Sequence, residues 1–292
     1  MAAPTANTRL TSQRGGHRAA SRPNGRSPLD WVRKHLVTFA GLAALGYLLL
    51  PVVVVFIFSF NRPVGRFNFA WHEFSLDAWT DVCGVAGMCG SLWLSIRLAL
   101  LATLGATVLG TLLAFALVRH RFRGRAPLNL LVFLPMATPE VVMGSSLLAL
   151  FVQGGVNRGF VTLFISHVLF CMSFVVVTVK ARLQGMDPRL EQAAADLYAT
   201  PLETFRRITL PLVLPGIVSA ALLSFSLSFD DFIVTNFNSG SLVTFPMFVF
   251  GANQRGVPPQ INVIGSIMFF LALSLVLAAQ YRSKFRLRRA AS

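Results

Sequence analysis

The chain has 292 residues, of which 54% are hydrophobic and only 13% charged. Soluble domains carry about 25% charged residues, so a water-exposed globule is excluded. The formal charge of +15 does not read as nucleic-acid binding either, because the arginines flank long apolar runs rather than line an aromatic-interleaved surface.

Residues 1–35 carry Arg9, Arg14, Arg18, Arg22, Arg26, Arg33 and Lys34 among Ser, Gly, Pro and Ala. Such a segment has too little apolar surface to order itself and is expected to be a disordered basic tail. A bilayer core about 30 Å thick is crossed by about 20 apolar helical residues. Six stretches qualify: 36–60, 91–118, 127–152, 160–179, 210–237 and 261–280. The first is too long for a secretory signal and lacks a clean small-residue cleavage site, so it is expected to stay as an anchor.

The link 61–90 holds Trp71, His72, Glu73, Asp77, Trp79 and Asp81. Its tryptophans are expected to sit at the membrane surface, and the loop to form part of an outside docking surface. Cys83 and Cys89 have two readings, a pair or two small residues in a Gly-rich stretch, and the second is expected. Cys171 completes an odd count with no metal-type spacing. In the second span Ala102, Ala106, Gly110 and Ala114 recur every four residues, a stripe suited to close helix packing. The third span is interrupted by Pro135, Pro139 and Glu140. His167 in the fourth reads as a hydrogen-bonded packing residue.

Between the fourth and fifth spans, 187–216 reads DPRLEQAAADLYATPLETFRRITLPLVLPG. Asp187 caps a helix with Pro188 at its start, and Leu190, Ala193, Ala194 and Leu197 share one face. Thr200, Pro201 and Glu203 form a capping box for a second helix, whose apolar side is Leu202, Phe205 and Ile208. Pro211 and Pro215 are expected to mark a bend into the fifth span. Two short amphipathic helices joined by a tight turn follow. On periodicity alone they equally suit an ordinary interfacial connector.

Basic residues fix the expected direction. The tail, the 119–125 link, the 180–207 segment and the C-terminal end hold 21 of the 26 Lys and Arg residues. Six spans with both termini in the cytoplasm put all four groups on one side.

The run Gln192-Ala193-Ala194, then Tyr198, Ile208 and Leu210-Pro211, resembles the EAA loop of ABC importer permeases. The family pattern has Glu at the position of Gln192, which Glu191 adjoins, and Gly at the position of Tyr198. A residue other than Gly at positive φ costs about 1–2 kcal/mol, so Tyr198 either bears that strain or the turn is built around Ala199 and Thr200. Phe74-Ser75-Leu76-Asp77 with Trp79, Arg121 to Arg125, Leu134-Pro135 with Pro139-Glu140, Ser228 to Phe232 and Gly256 to Asn262 resemble the spermidine/putrescine-type branch. The resemblance covers about 36–282.

What the resemblance implies is an all-α polytopic membrane protein with six transmembrane helices and the type I ABC importer permease fold. It implies a permease domain over 36–282 with a coupling loop at about 183–210, a basic cytoplasmic tail over 283–292, and a bacterial inner-membrane location. The expected partners are two copies of an ATP-binding subunit, a second permease and an extracytoplasmic solute-binding protein. Glu191, Gln192, Ala193, Ala194, Leu197 and Tyr198 would contact the ATP-binding subunit. The expected solute is a polyamine or similar organic cation; iron, opines and phosphonates are carried by other branches.

Carboxylates at bilayer depth cost about 3 kcal/mol each and normally face a cavity or a partner. Ser224, Ser228, Asp231 and Thr235 form a polar stripe on the fifth span. Glu140, Asp230, Asp231 and Ser228 are therefore candidates for a cation path. The plainer reading is structural: capping a short helix, or pairing with Arg97 or Arg158. No phosphate loop, nucleophile elbow, zinc motif or cofactor signature is present, so the chain is not expected to hydrolyse ATP. Two rival classes stay open: a self-sufficient secondary transporter, which would usually show internal repeats, and a membrane scaffold without a solute path.

Overall fold

The computed structural model describes residues 28–290, with side chains over 35–274 and at 277. The basic tail lies outside the described residues as far as 27, as do the last two residues of the chain. Helix α1 (Pro28–Phe58) begins earlier than the expected 36, because Pro at the first helical position has its φ preset and lacks only an N–H that would be unpaired anyway. Residues up to Val53 belong to a separate unit, and the account below concerns the unit from Val54 onward.

Beyond α1 the chain folds back through a small hairpin, β1 (Asn61–Arg62) and β2 (Glu73–Phe74), with Asn61 opposite Phe74. Asn61 organises this loop. Its Nδ2 donates to Asn68 Oδ1 at 2.6 Å and to the Ala70 carbonyl at 2.8 Å, and its Oδ1 accepts from the His72 N–H at 2.8 Å. With these atoms paired, a buried amide is tolerated. The Phe60 ring stacks on Phe74 and Trp79 at 5.7 and 5.3 Å, and Trp79 Nε1 donates to Ser59 Oγ at 3.2 Å. Trp79 is thus held within the loop, whereas Trp71 stays exposed, as an interfacial ring would be.

After the short α2 (Asp77–Thr80), Cys83 and Cys89 form a disulfide with their Cα atoms 5.5 Å apart. This corrects the expectation of two unpaired small residues. Met88 is buried, but the stretch is open at Gly87 and Gly90, where an added Cβ would meet nothing within 4 Å, and Gly87, at φ 81, turns the chain so that the two cysteines fall within disulfide reach.

Three long helices make the core: α3 (Met88–Arg119), α6 (Phe160–Gln184) and α9 (Leu210–Asp230). Ala102, Ala106, Gly110 and Ala114 are all buried. A Cβ on Gly110 would lie 2.8 Å from Val175 Cβ, so the stripe does bring α3 close against α6. Val176, Val179, Leu183, Val213 and Ala220 fill the rest of this cluster. Leu100, Leu104 and Leu112 point outward from α3, as expected of side chains facing lipid or another subunit.

The third expected span is two helices, α4 (Arg125–Ala137) and α5 (Glu140–Gln153), bent by 110°. Thr138 takes an extended backbone because it precedes Pro139, which also lacks the N–H a continuous helix would use. The fifth expected span ends at Asp230 rather than 237; a separate α10 (Ile233–Asn238) follows. Helices α11 (Phe245–Arg255) and α12 (Pro259–Ala290) complete the chain. Among the described residues four helices are long and apolar enough to cross a membrane, the bent pair makes a fifth, and α12 is apolar over Pro259–Ser274. Each expected span therefore has a helical counterpart, with the third one broken.

Candidate functional site

Two regions carry the residues singled out in the sequence. The first is a cavity of about 370 Å³ where the α4–α5 break meets the end of α9. Glu140, Phe170, Ser226, Leu227, Asp230, Asp231, Phe232 and Ile233 line it. Glu140 opens α5, where free backbone N–H groups and the helix dipole favour a carboxylate. Asp230 closes α9. Both acids are exposed in the single chain, and among the described residues neither forms an ion pair. Arg97 does not neutralise them: its guanidinium lies over the Phe160 ring, 5.6 Å from the centroid.

Asp231 and Ser228 are placed differently. The Asp231 side chain is 2% exposed. Its Oδ2 accepts from the Thr235 N–H at 2.8 Å and from Thr235 Oγ1 at 2.7 Å, and its Oδ1 accepts from the Val234 N–H at 3.3 Å. Asp231 is therefore the N-terminal cap of α10. Thr235 Oγ1 is also 2.9 Å from His167 Nε2, and His167 Nδ1 is 2.8 Å from Ser228 Oγ. With the Thr235 proton given to Asp231, His167 Nε2–H donates to Thr235 and Nδ1 accepts from Ser228. The stripe of Ser224, Ser228, Asp231 and Thr235 is real, but it faces α6 inside this chain. His167 is the hydrogen-bonded packing residue expected from the sequence. Its role as the hub joining α6 to α9 and α10 had no signal in the local sequence.

The second region is the helix pair α7 (Arg189–Asp196) and α8 (Pro201–Thr204). Asp187 Oδ1 accepts from the Arg189 N–H at 2.9 Å, so it does cap α7. The capping box forms: Glu203 N–H donates to Thr200 Oγ1, and the Thr200 N–H donates to Glu203 Oε2 at 3.0 Å. The helix does not break at Pro211 or Pro215: a π-helical turn, Phe205–Thr209, joins α8 to α9 in one uninterrupted helical stretch.

Between α7 and α8 the Tyr198 N–H donates to the Ala195 carbonyl and the Ala199 N–H to the Ala194 carbonyl, both at 3.0 Å. This is the Schellman pattern, which places its left-handed residue at Tyr198. Tyr198 has φ 59, the one positive φ at a non-glycine among the described residues. Of the two alternatives left open by the sequence, the tyrosine bears the strain, about 1–2 kcal/mol.

Glu191 Oε1 accepts from Arg119 Nη2 at 2.7 Å and from Thr209 Oγ1 at 2.6 Å. Its carboxylate ties α7 to the ends of α3 and α9 and does not project outward. Ala194 is buried beneath α7, whereas Gln192, Ala193, Leu197 and Tyr198 are exposed.

Apolar helices, one of them broken beside an acid-lined cavity, fit a protein that lies within a membrane and keeps irregular backbone and carboxylates off the lipid. Residues 106–289 match the family of binding-protein-dependent transport system inner membrane components, and the chain belongs to that family. It is 39% identical to the spermidine/putrescine transport system permease protein PotC of Haemophilus influenzae, over 80% of this chain and 91% of that protein. It is 36% identical to the putrescine transport system permease protein PotI of Escherichia coli K12, over 78% of this chain and 83% of that one. Its fold matches a chain of a bacterial ABC transporter that imports the acidic polysaccharide alginate, with TM-score 0.63 and 15% identity over 89% of this chain and 98% of that one. The chain is thus a multi-pass inner-membrane permease subunit of an ATP-driven importer, and not an enzyme; ATP hydrolysis belongs to a separate subunit.

Proposed function

We propose that this permease passes a polyamine or a similar small organic cation through the membrane, along a path that includes Glu140 and Asp230. The observation that carries the reading is the meeting of these two acids at one cavity, with no cation of the described chain set against either. Spaced ammonium groups complement spaced carboxylates, and an anionic solute such as a phosphonate is repelled by them. Relatives named for spermidine and putrescine transport support the same class. Asp231 and Ser228 serve this path by holding the α9–α10 corner that presents Asp230.

In this reading the helix pair faces the cytoplasm and receives the ATP-binding subunit, two copies of which serve a pair of permeases. The soluble binding protein docks at the opposite end. The basic clusters support that direction, and so does the disulfide, which persists in an oxidising compartment. Both tails, 1–35 and 283–292, then lie in the cytoplasm beside the permease domain at 36–282.

Uptake of labelled putrescine and spermidine by the assembled complex in proteoliposomes tests the path. Glu140→Gln and Asp230→Asn should each raise the apparent KM about tenfold, equivalent to about 1.4 kcal/mol of lost attraction. Wild-type uptake kinetics in both variants would remove the acids from the path.

A further inference from the structure

The strained tyrosine at the tip of the helix pair has no internal justification. Its side chain is 96% exposed, so no contact within the chain compensates the left-handed backbone. Glycine fits the same Schellman turn without penalty. Strain kept in this way, at a site where the surrounding fold does not demand the side chain, points to a requirement outside the chain. The same tip presents Leu197 at 81% and Leu202 at 74% exposure. Two aliphatic side chains beside an aromatic one form an apolar knob at the end of a helix pair that is otherwise anchored inward through Glu191 and Ala194.

We infer that Tyr198 is a partner-selecting anchor: its ring seats in a recess of the ATP-binding subunit, so this permease accepts only a subunit whose docking cleft has room for a phenol. This rests on the reading that the helix pair receives that subunit. The membrane surface is the weaker candidate, because headgroup contact makes no demand for one backbone geometry, whereas a rigid cleft rewards a ring held at a fixed angle. Aromatic side chains are rigid for their contact area and dominate such interfaces. The recess is therefore lined by apolar groups that contact the ring, with the hydroxyl left at its open edge.

The test uses the complex isolated from native membranes through a tag on this chain. Its ATP-hydrolysing subunit is stripped off, purified and titrated back onto the tagged permease assembly in nanodiscs, carrying wild-type chain, Tyr198→Gly or Tyr198→Phe. Gly preserves the turn and removes only the ring, so a purely structural role for Tyr198 predicts unchanged or tighter rebinding. The anchor predicts about tenfold or greater weakening for Tyr198→Gly and near-wild-type affinity for Tyr198→Phe, with the thermal unfolding of the permease unchanged or raised in Tyr198→Gly. Wild-type affinity of Tyr198→Gly overturns the anchor while leaving the helix pair as the docking element. Altered lipid association of Tyr198→Gly with unchanged subunit affinity assigns the ring to the membrane and also overturns it. Failure of the wild-type chain to rebind the subunit overturns both the anchor and the docking reading.

Discussion

Arg119, the last residue of α3, donates to Glu191 in α7 at 2.7 Å, across 72 positions of sequence. The same carboxylate oxygen accepts from Thr209 at 2.6 Å, where α9 is about to begin. One acid thus clamps the outlying helix pair to two core helices. The ion pair is about one quarter exposed on each side, so its worth to global stability is small, about 1 kcal/mol or less. Its consequence is positional: it fixes α7 against the ends of α3 and α9.

Loosening that clamp should uncouple hydrolysis from uptake before it unfolds the protein. Glu191→Ala is expected to lower solute transported per ATP severalfold, with a thermal midpoint within a few degrees of wild type. The charge swap Arg119→Glu with Glu191→Arg should recover part of the ratio, as a double-mutant cycle requires for residues in contact. Equal ratios in wild type and Glu191→Ala would show that the clamp transmits nothing.

Gly110 has no room for a larger side chain. Gly110→Val should force α3 away from α6 at Val175 and destabilise the bundle by about 1–3 kcal/mol, in the range of overpacked cores. Gly110→Ala combined with Val175→Ala should be better tolerated than Gly110→Ala alone. Unfolding in detergent, followed by helical circular dichroism, reads both effects.

Neighbouring acids should behave as opposites. Asp231→Ala removes the α10 cap and leaves the Thr235 hydroxyl without its carboxylate acceptor, a loss of about 1–3 kcal/mol. Asp231→Asn keeps an acceptor at the cap and should be milder. Asp231→Asn, which keeps the corner, should leave the apparent KM for a polyamine near wild type, whereas Asp230→Asn should change KM without changing stability. Unfolding midpoints and uptake kinetics measured on one set of preparations separate the two roles, and a KM change in Asp231→Asn matching that of Asp230→Asn would merge them.

The disulfide makes a prediction about direction as well as chemistry. A membrane-impermeant maleimide added outside intact spheroplasts should label the chain only after mild reduction, and then at Cys83 and Cys89, since Cys171 is buried. Labelling without reduction would contradict the bridge. Absence of labelling after reduction in spheroplasts, with labelling in inverted vesicles, would reverse the orientation. Replacing both cysteines by Ser should cost up to about 2 kcal/mol, given the short loop they close.

What the sequence made legible was local. The Thr200–Glu203 capping box and the small-residue stripe on α3 each depend on residues within about four turns of one another, and both are present; of the two turns left open between α7 and α8, the structure takes the one with positive φ at Tyr198. The interruption of the third span was legible at Pro139, but its size was not. Composition registers only that 127–152 is apolar, while the 110° bend follows from one restricted dihedral. The cysteines were misjudged because their pairing depends on the turn at Gly87. The polar stripe on α9 was found, but which way it faced depended on His167, more than 60 residues away in sequence. That Glu191 meets Arg119 within the chain was hidden for the same reason: 72 positions separate them.

Pro201–Asp230 runs as one helical stretch of 30 residues, with Leu202 near one end and Asp230 at the other. At about 1.5 Å per residue it is a push rod about 45 Å long, and a pivot of about 5° about one end sweeps the other by about 4 Å. That stroke is comparable to the width of an alkyl chain. On the reading proposed above, a small tilt of this rod about its docking end is therefore large enough to carry the Asp230 carboxylate from one side of a solute to the other.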